Sequence, residues 1–297
     1  MNPPAKPRVL PHELAFGLLF ALTWVRLVCA AGFFARDSLL FLGLLVTAAT
    51  LVVWCRRNPD EARWRVRLWF YPLAMNLSYF ALKTAAPAVH PQLEDAWLQR
   101  IDSILVGGNL SLRLEPLIHP LATEFMSLCY VLFFPWLVFS WIYYHRQELP
   151  LMKKFFIGFF TAYGLGLIGY TLLPALGPHL DAALATQFTV PLKGGYITGL
   201  NSSIVLQGCN GVDCFPSLHC AVSSYILFFD RQHRPWRFKL YLVPAVGLWF
   251  STIYLRYHYF IDVLCGFALS ALCLWIANRY EPNPPTERNE HEIPASV

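Results

Sequence analysis

The sequence is poor in charge. Only 14% of its 297 residues are Asp, Glu, Lys or Arg, against the roughly 25% with which a soluble domain clothes its surface. It shows no internal repeat, no C-x-x-C pair and no H-E-x-x-H pattern, so no solenoid and no familiar zinc motif is legible. Eight cysteines in this length are too few for a disulfide-stapled scaffold. A cleavable signal peptide is not expected either, because the apolar run after Glu13 is too long for an h-region. Apolar mass is what the chain does have. Hydrophobic residues make up 56%, aromatics 16%, and the mean hydropathy is +0.44. That balance excludes disorder and predicts an all-α integral membrane protein.

Runs long enough to cross about 30 Å of hydrocarbon fall near 14–34, 38–55, 68–89, 121–144, 155–176, 240–256 and 259–277. A shorter run, 217–230, follows Pro216 without a breaker and also reads as helix. Together they predict about eight transmembrane helices. The net charge of +5 sits in short clusters between these runs, as in cytoplasmic loops, so nucleic acid is not an expected partner. Sixteen basic residues fall on one side of this topology, among them Arg56, Arg57, Arg63, Arg65, Arg67, Lys6, Arg8 and Arg288. Five fall on the other: Arg36, Arg100, Arg113, Lys193 and Arg256. By the positive-inside rule both termini are cytoplasmic.

The expected organisation is a cytoplasmic N-terminus over 1–13, two spans and a basic loop over 14–67, a catalytic membrane domain over 68–278, and a disordered cytoplasmic tail over 279–297. Two long non-cytoplasmic segments, 90–120 and 177–216, are too irregular to cross lipid alone. The first lies at the interface or re-enters the membrane on this reading.

Gly164-Leu-Gly166-Leu-Ile-Gly169 matches a dinucleotide-binding spacing, but it sits inside a span with no strand before it, so close helix packing explains it better. Cys209 and Cys214 face the non-cytoplasmic side across a turn-forming Asn-Gly-Val-Asp, which leaves two readings open, a disulfide or two free thiols. The pattern that carries chemistry is a pair of histidine motifs. Cys214-Phe-Pro-Ser-Leu-His219 opens the short sixth helix, and Tyr254-Leu-Arg-Tyr-His258-Tyr-Phe-Ile-Asp262 joins the last two. The topology puts His219, His258 and Asp262 on one side of the membrane. If 258–262 is helical, His258 and Asp262 are i, i+4 neighbours, and the carboxylate can fix the imidazole tautomer and leave the other nitrogen as nucleophile. Ionisable groups at membrane depth are costly unless used.

Pro216-Ser-Leu-His219 and His258-x-x-x-Asp262 resemble the second and third signature motifs of the type 2 phosphatidic acid phosphatase superfamily. The fuller motifs, with Asp102-x-x-Leu-x-Gly107 and Leu173-Pro-Ala-x-Gly-Pro178, are more similar to its inositolphosphotransferase branch, which includes fungal inositol phosphorylceramide synthase. The resemblance spans about 80–277. It implies a superfamily-like helical bundle acting on a lipid phosphate donor, with a hydroxyl or water as acceptor, in the bilayer and at the periplasmic or lumenal face. It implies His258 as nucleophile forming a phosphohistidine, Asp262 stabilising it, and His219 as general acid and base, with no cofactor and no metal.

The chain also departs from the superfamily. No Lys-x6-Arg-Pro first motif exists, Thr252 stands where the third motif has Arg, and Leu218 replaces the Gly of the second. Substitutes for the missing phosphate-holding cations are therefore expected: Lys83, Arg256 and Arg113, with backbone N–H groups at Ser217 and Leu218. For Lys83 the alternative is a structural pair with Asp102. The expected activity is phosphoryl transfer of the inositolphosphotransferase type. The rivals are a lipid or polyprenyl phosphate phosphatase and a non-catalytic transporter or scaffold with a decayed site.

Overall fold

The computed structural model describes residues 9–280; Lys6, Arg8, Arg288 and residues 281–297 of the tail expected over 279–297 lie outside the described residues, while Arg279 ends the last helix. Every regular element among these is helical, and the one β contact is an isolated bridge between Ala175 and Asp213. Helices α1 (Pro11–Ala31) and α2 (Arg36–Arg57) pair, and α3 (Glu61–Val89) returns beside both. The first long connection holds α4 (Asp95–Val106) and the single turn α5 (Leu110–Arg113). Next come α6 (Pro120–Val131) and α7 (Phe133–His145), separated by one residue, and α8 (Leu149–Leu172). The second long connection holds α9 (Ala182–Ala185) and α10 (Tyr196–Gly208), and α11 (Leu218–His233), α12 (Pro235–Tyr254) and α13 (Phe260–Arg279) follow. Proline occupies the first turn of α1, α6, α8 and α12, where its missing N–H costs nothing.

Five segments are long and apolar enough to span a membrane: α1, α2, α6 with α7, α8 and α13. The runs expected at 68–89, 217–230 and 240–256 are helical, within α3, α11 and α12, but fall outside that set. Helix α11 has only 16 residues, while α3 and α12 carry basic residues and internal prolines.

Helix α8 is the hub. It packs on α1, α3, α11 and α13. Gly164 lies against Ala15 and Phe16 of α1, Gly166 against Leu218, and Gly169 against Pro216. The glycine spacing in this span is thus a packing stripe, and it lets the Pro-Ser-Leu-His segment dock directly on α8. Gly266 of α13 closes the other side, where a Cβ would come within 2.6 Å of the Ser217 carbonyl oxygen. A side chain at Gly166, Gly169 or Gly266 would overpack the start of α11, and one at Gly164 the contact with α1, each at a cost of about 1–3 kcal/mol.

Helix α4 braces the site through two buried carboxylates. Asp95 accepts from the N–H groups of Leu176 and Gly177, both at 2.9 Å, and from the Tyr259 hydroxyl at 3.0 Å. Asp102 accepts from the N–H groups of Phe260 and Ile261 at 2.8 and 2.9 Å, and so caps α13. The pairing of Asp102 with Lys83 is thereby overturned: the carboxylate already satisfies two helix-end donors.

Candidate active site

Three chain segments are stitched together around the histidines. At the start of α11, Ser217 Oγ accepts from the Cys220 N–H at 3.3 Å, while its own N–H donates to the Asp262 carbonyl at 3.1 Å. At the end of α12, the Thr252 carbonyl accepts from the N–H groups of both Tyr257 and His258, at 2.9 and 3.0 Å. Arg256 adopts a left-handed conformation there, φ 67°, which turns the chain back on itself and aims His258 at α11. Asp262, in the first turn of α13, accepts from the Tyr259 N–H at 2.7 Å. It therefore caps its own helix as well as facing His258.

The side chains form one continuous polar chain. His258 Nδ1 lies 3.5 Å from Asp262 Oδ2, and His258 Nε2 lies 3.4 Å from His219 Nδ1. His219 Nε2 meets the Tyr130 hydroxyl of α6 at 2.9 Å, with the Phe133 ring 5.1 Å away. Asp262 is fully buried and His258 is 3% exposed. Beside the histidines lies a cavity of about 260 Å³, lined by apolar side chains and by Asn76, Tyr79, Tyr130, His179, Asp213 and Tyr257. No Lys or Arg lines it among the described residues. Asp213 accepts from the Tyr79 hydroxyl and from Cys209 Sγ, the latter at 3.2 Å. Burial holds the His179 imidazole down at about 4, so it faces the cavity as a neutral group at pH 7.

With this geometry in hand, the sequence match is decisive: the PAP2 superfamily pattern covers residues 96–276, more than half of the chain and every residue of the histidine chain. The chain belongs to the PAP2 superfamily. A PA-phosphatase related-family protein of Dictyostelium discoideum is 23% identical over 63% of this chain and 38% of its own length. The inositol phosphorylceramide synthase catalytic subunit of Saccharomyces cerevisiae is 35% identical over 25% of this chain and 18% of its own. A phosphoinositol dihydroceramide synthase of Bacteroides thetaiotaomicron is 28% identical over 48% of this chain and 51% of its own. The chain spans about half or less of the length of each of these relatives. No solved structure matches it.

For a PAP2 site the expected catalytic residues converge and the expected cations do not. Lys83 is exposed and lines an adjoining hollow of about 450 Å³, outside the histidine cavity. Arg256 bonds Glu115 Oε1 at 3.1 Å and the Val190 carbonyl, and stacks over Phe188 at 3.9 Å. Arg113 caps the end of α4 through the Val106 and Gly107 carbonyls. Each of the two arginines is committed to a loop strut. The Ser217 N–H is likewise taken up by Asp262, so it is not the phosphate donor expected of it; Leu218 reaches the cavity with its side chain.

The disulfide reading also fails, since both thiols are free. Cys209 faces Asp213, and burial, reinforced by that carboxylate, pushes its thiol up to about 12. Cys214 turns the other way and donates to Asp262 Oδ2 at 2.9 Å. Three cavity residues, Tyr130, His179 and Asp213, escaped the sequence reading, and Cys214 was read only as a disulfide candidate. Tyr130 sits in an apolar run with no motif around it. His179 directly follows Leu173-Pro-Ala-Leu-Gly-Pro178, and that adjacency was the available signal. Asp213 precedes Cys214-Phe-Pro-Ser-Leu-His219, where only proximity marks it.

Proposed function

We propose that this PAP2 chain moves a phosphoryl group from a lipid phosphodiester to a hydroxyl acceptor through a phosphohistidine at His258, at the non-cytoplasmic face of its membrane. The observation that carries the reading is that, among the described residues, no Lys or Arg lines the cavity around the histidine pair. A phosphodiester bears one negative charge and asks for one cation, which a protonated His219 supplies. A phosphomonoester dianion asks for two, and would share the cavity with Asp213; an uncompensated charge in such surroundings is expensive.

The mechanism assigns one set of protons to these contacts. Asp262 accepts from His258 Nδ1–H, so Nε2 keeps its lone pair toward the cavity. As Nε2 bonds to phosphorus in line, the bond to the leaving oxygen breaks, and Asp262 stabilises the cationic phosphoimidazole. His219, protonated on both nitrogens beside the bound anion, passes its Nδ1 proton to the leaving alkoxide. The Tyr130 oxygen accepts from Nε2–H before and after that transfer, so it keeps Nδ1 as the exchanging nitrogen in both halves of the cycle. His219 then takes the acceptor's proton, and the new alkoxide displaces His258 from phosphorus. Asn76, His179 and Tyr257 are the neutral donors facing the phosphoryl oxygens. Tyr257 already accepts from Asn201 at 2.8 Å, which leaves its own proton to give.

The two relatives named as synthases support phosphoinositol as the transferred group and a ceramide-type hydroxyl as acceptor. The Dictyostelium relative, named for a phosphatase family, favours water as the second reading. The test supplies purified full-length protein with phosphatidylinositol, other phospholipids and lipid phosphomonoesters, with and without ceramide or inositol, and follows free phosphate and new phosphodiesters together. His258→Ala is the blank. A new phosphodiester with little free phosphate is the expected result. Free phosphate regardless of acceptor makes the chain a lipid phosphatase, and neither product removes the reading.

A further inference from the structure

Three ligand atoms of different chemistry meet beneath the reacting histidine. Cys214 Sγ lies 2.9 Å from Asp262 Oδ2 and 3.7 Å from His258 Nδ1, and the last two are 3.5 Å apart. All three residues are buried. Phosphoryl transfer uses the histidine and the carboxylate, yet gives the thiol no role beyond a weak hydrogen bond. Asp262 Oδ1, also buried, has no hydrogen-bond partner. A catalytic dyad has no need of a third, sulfur-bearing member at ligand distance.

We propose that Cys214, His258 and Asp262 form a zinc-binding site, and that zinc bound there silences the enzyme. Three atoms with these separations surround a common point at bond lengths close to the ~2.0–2.3 Å of Zn–O, Zn–N and Zn–S. Thiolate, imidazole and carboxylate together select zinc over magnesium or calcium, which want oxygen ligands and more of them. The charges also match the surroundings. One thiolate and one carboxylate cancel the dication, which gives a neutral complex in a cavity with no Lys or Arg in its lining. Cys214 and His258 both line that cavity, so the ion has a route in and solvent there supplies the fourth ligand.

The step balances with one proton released per zinc. Cys214 gives up its thiol proton to solvent, and the imidazole keeps its single proton but carries it on Nε2 while Nδ1 holds the metal. His258 then has no lone pair to direct at phosphorus. Removal of the ion returns one proton to the Cys214 thiol and lets the imidazole proton move back to Nδ1, so the inhibition is reversible. Binding stands on geometry alone; the loss of activity rests on His258 being the nucleophile.

The experiment uses purified full-length protein in lipid nanodiscs, stripped with EDTA and then titrated with buffered Zn²⁺. Metal content is read by elemental analysis and turnover on a lipid phosphodiester. One zinc per chain is expected, with turnover falling at least about tenfold as the nucleophile is lost, and with full recovery in EDTA; Mg²⁺ does neither. Cobalt in place of zinc shows a thiolate charge-transfer band that Cys214→Ser abolishes. Cys214→Ala weakens zinc binding by more than the ~10–100-fold that an outer-shell partner is worth, and whatever turnover it retains survives the zinc that silences the parent. Cys209→Ser binds and responds like the parent. If Cys214→Ala zinc binding or inhibition is unchanged, the metal acts elsewhere and the proposal falls. Should Cys214→Ala fail the gel-filtration check for folding, zinc binding by His258→Ala decides instead: loss supports the site and retention overturns it. If zinc binds through Cys214 in a protein that transfers no phosphorus, the site stands and the transferase reading is the part that fails.

Discussion

The two ends of helix α11 treat buried charge in opposite ways. Near its last turn, Asp230 meets the Arg237 guanidinium at 2.9 Å and the Tyr144 hydroxyl, all buried, with Ser140 on the far side of the arginine. Nearby in kind, Glu13 of α1 is held by Arg67 of α3. Each carboxylate there has its cation, and no cavity adjoins Asp230 or Arg237 in the lining of the histidine pocket. About three turns away along α11, Asp262 has only a histidine, a thiol and a backbone N–H, with no Lys or Arg against it among the described residues, while each of the two carboxylates leaves one oxygen without a hydrogen bond. Buried ions are costly unless paired, so the paired end is built to hold helices together. The unpaired end is left to be completed by something that enters the cavity. Function sits where the protein stops cancelling its own charges.

The comparison breaks most sharply at Asp262. Asp262→Asn keeps a carbonyl oxygen at the Oδ2 position that the Tyr259 N–H and His258 Nδ1 share, so the helix cap survives, but it removes the negative charge that stabilises the cationic phosphoimidazole. By analogy with hydrolase triads the turnover should fall by about 10⁴, with the unfolding midpoint little changed. Single-turnover kinetics with a lipid donor measures the first and thermal unfolding in detergent the second. A loss of folding that matches the loss of rate would make Asp262 a brace like Asp230.

Tyr130→Phe sharpens the same contrast with a smaller effect. It removes one oxygen from His219 Nε2 and leaves the rings of Tyr130 and His219, 4.7 Å apart, to pack as before. If Tyr130 acts by holding His219 for proton transfer, donors with alkoxide leaving groups slow by about 10–100-fold, at or below the low end of general acid catalysis. Donors with an acidic phenol as leaving group need no proton and should be unaffected. The measurement is the ratio of kcat for the two donor types in the parent, Tyr130→Phe and His219→Ala. Equal slowing of both donors would reduce Tyr130 to packing.

Much of this was legible in the residues, and the limits have physical reasons. His219, His258 and Asp262 were readable because each motif is local in the chain, although His258 precedes α13, which starts at Phe260, so a turn tied to the Thr252 carbonyl rather than a helical i, i+4 face brings it to Asp262. The charge-based topology then put both motifs at one face. The phosphate-holding cations were misjudged because charge in a loop does not say what it meets. Arg256 meets Glu115, which lies 141 residues away in the chain, and Arg113 meets the end of α4. Asp102 stood out in sequence, yet its target, the first N–H groups of α13, is a tertiary fact. Tyr130 had no signal at all, since one tyrosine among apolar residues looks like packing until His219 is seen beside it. The count of eight spans rested on apolar runs, and α11 shows why that count outran the structure: a buried helix core can be as apolar as a span while being shorter than one.

The least effect on chemistry is expected from the opposite end. Arg237→Met removes the cation from Asp230 and leaves a buried carboxylate with only the Tyr144 hydroxyl to satisfy it. Breaking a buried pair from one side costs about 3–5 kcal/mol, so the thermal midpoint should drop markedly. Turnover per folded molecule should stay within about twofold, because no residue of the pair lines the histidine cavity. Adding Asp230→Leu to Arg237→Met removes the stranded charge and should recover much of the lost stability, as buried pairs replaced on both sides often do. Thermal unfolding of the parent, the single and the double variant, with active-site titration to correct the rates, makes the comparison. If the double variant regains stability but not turnover, the paired end does more than hold helices. The Asp230 ion pair would then have to reach His219 through α11 itself.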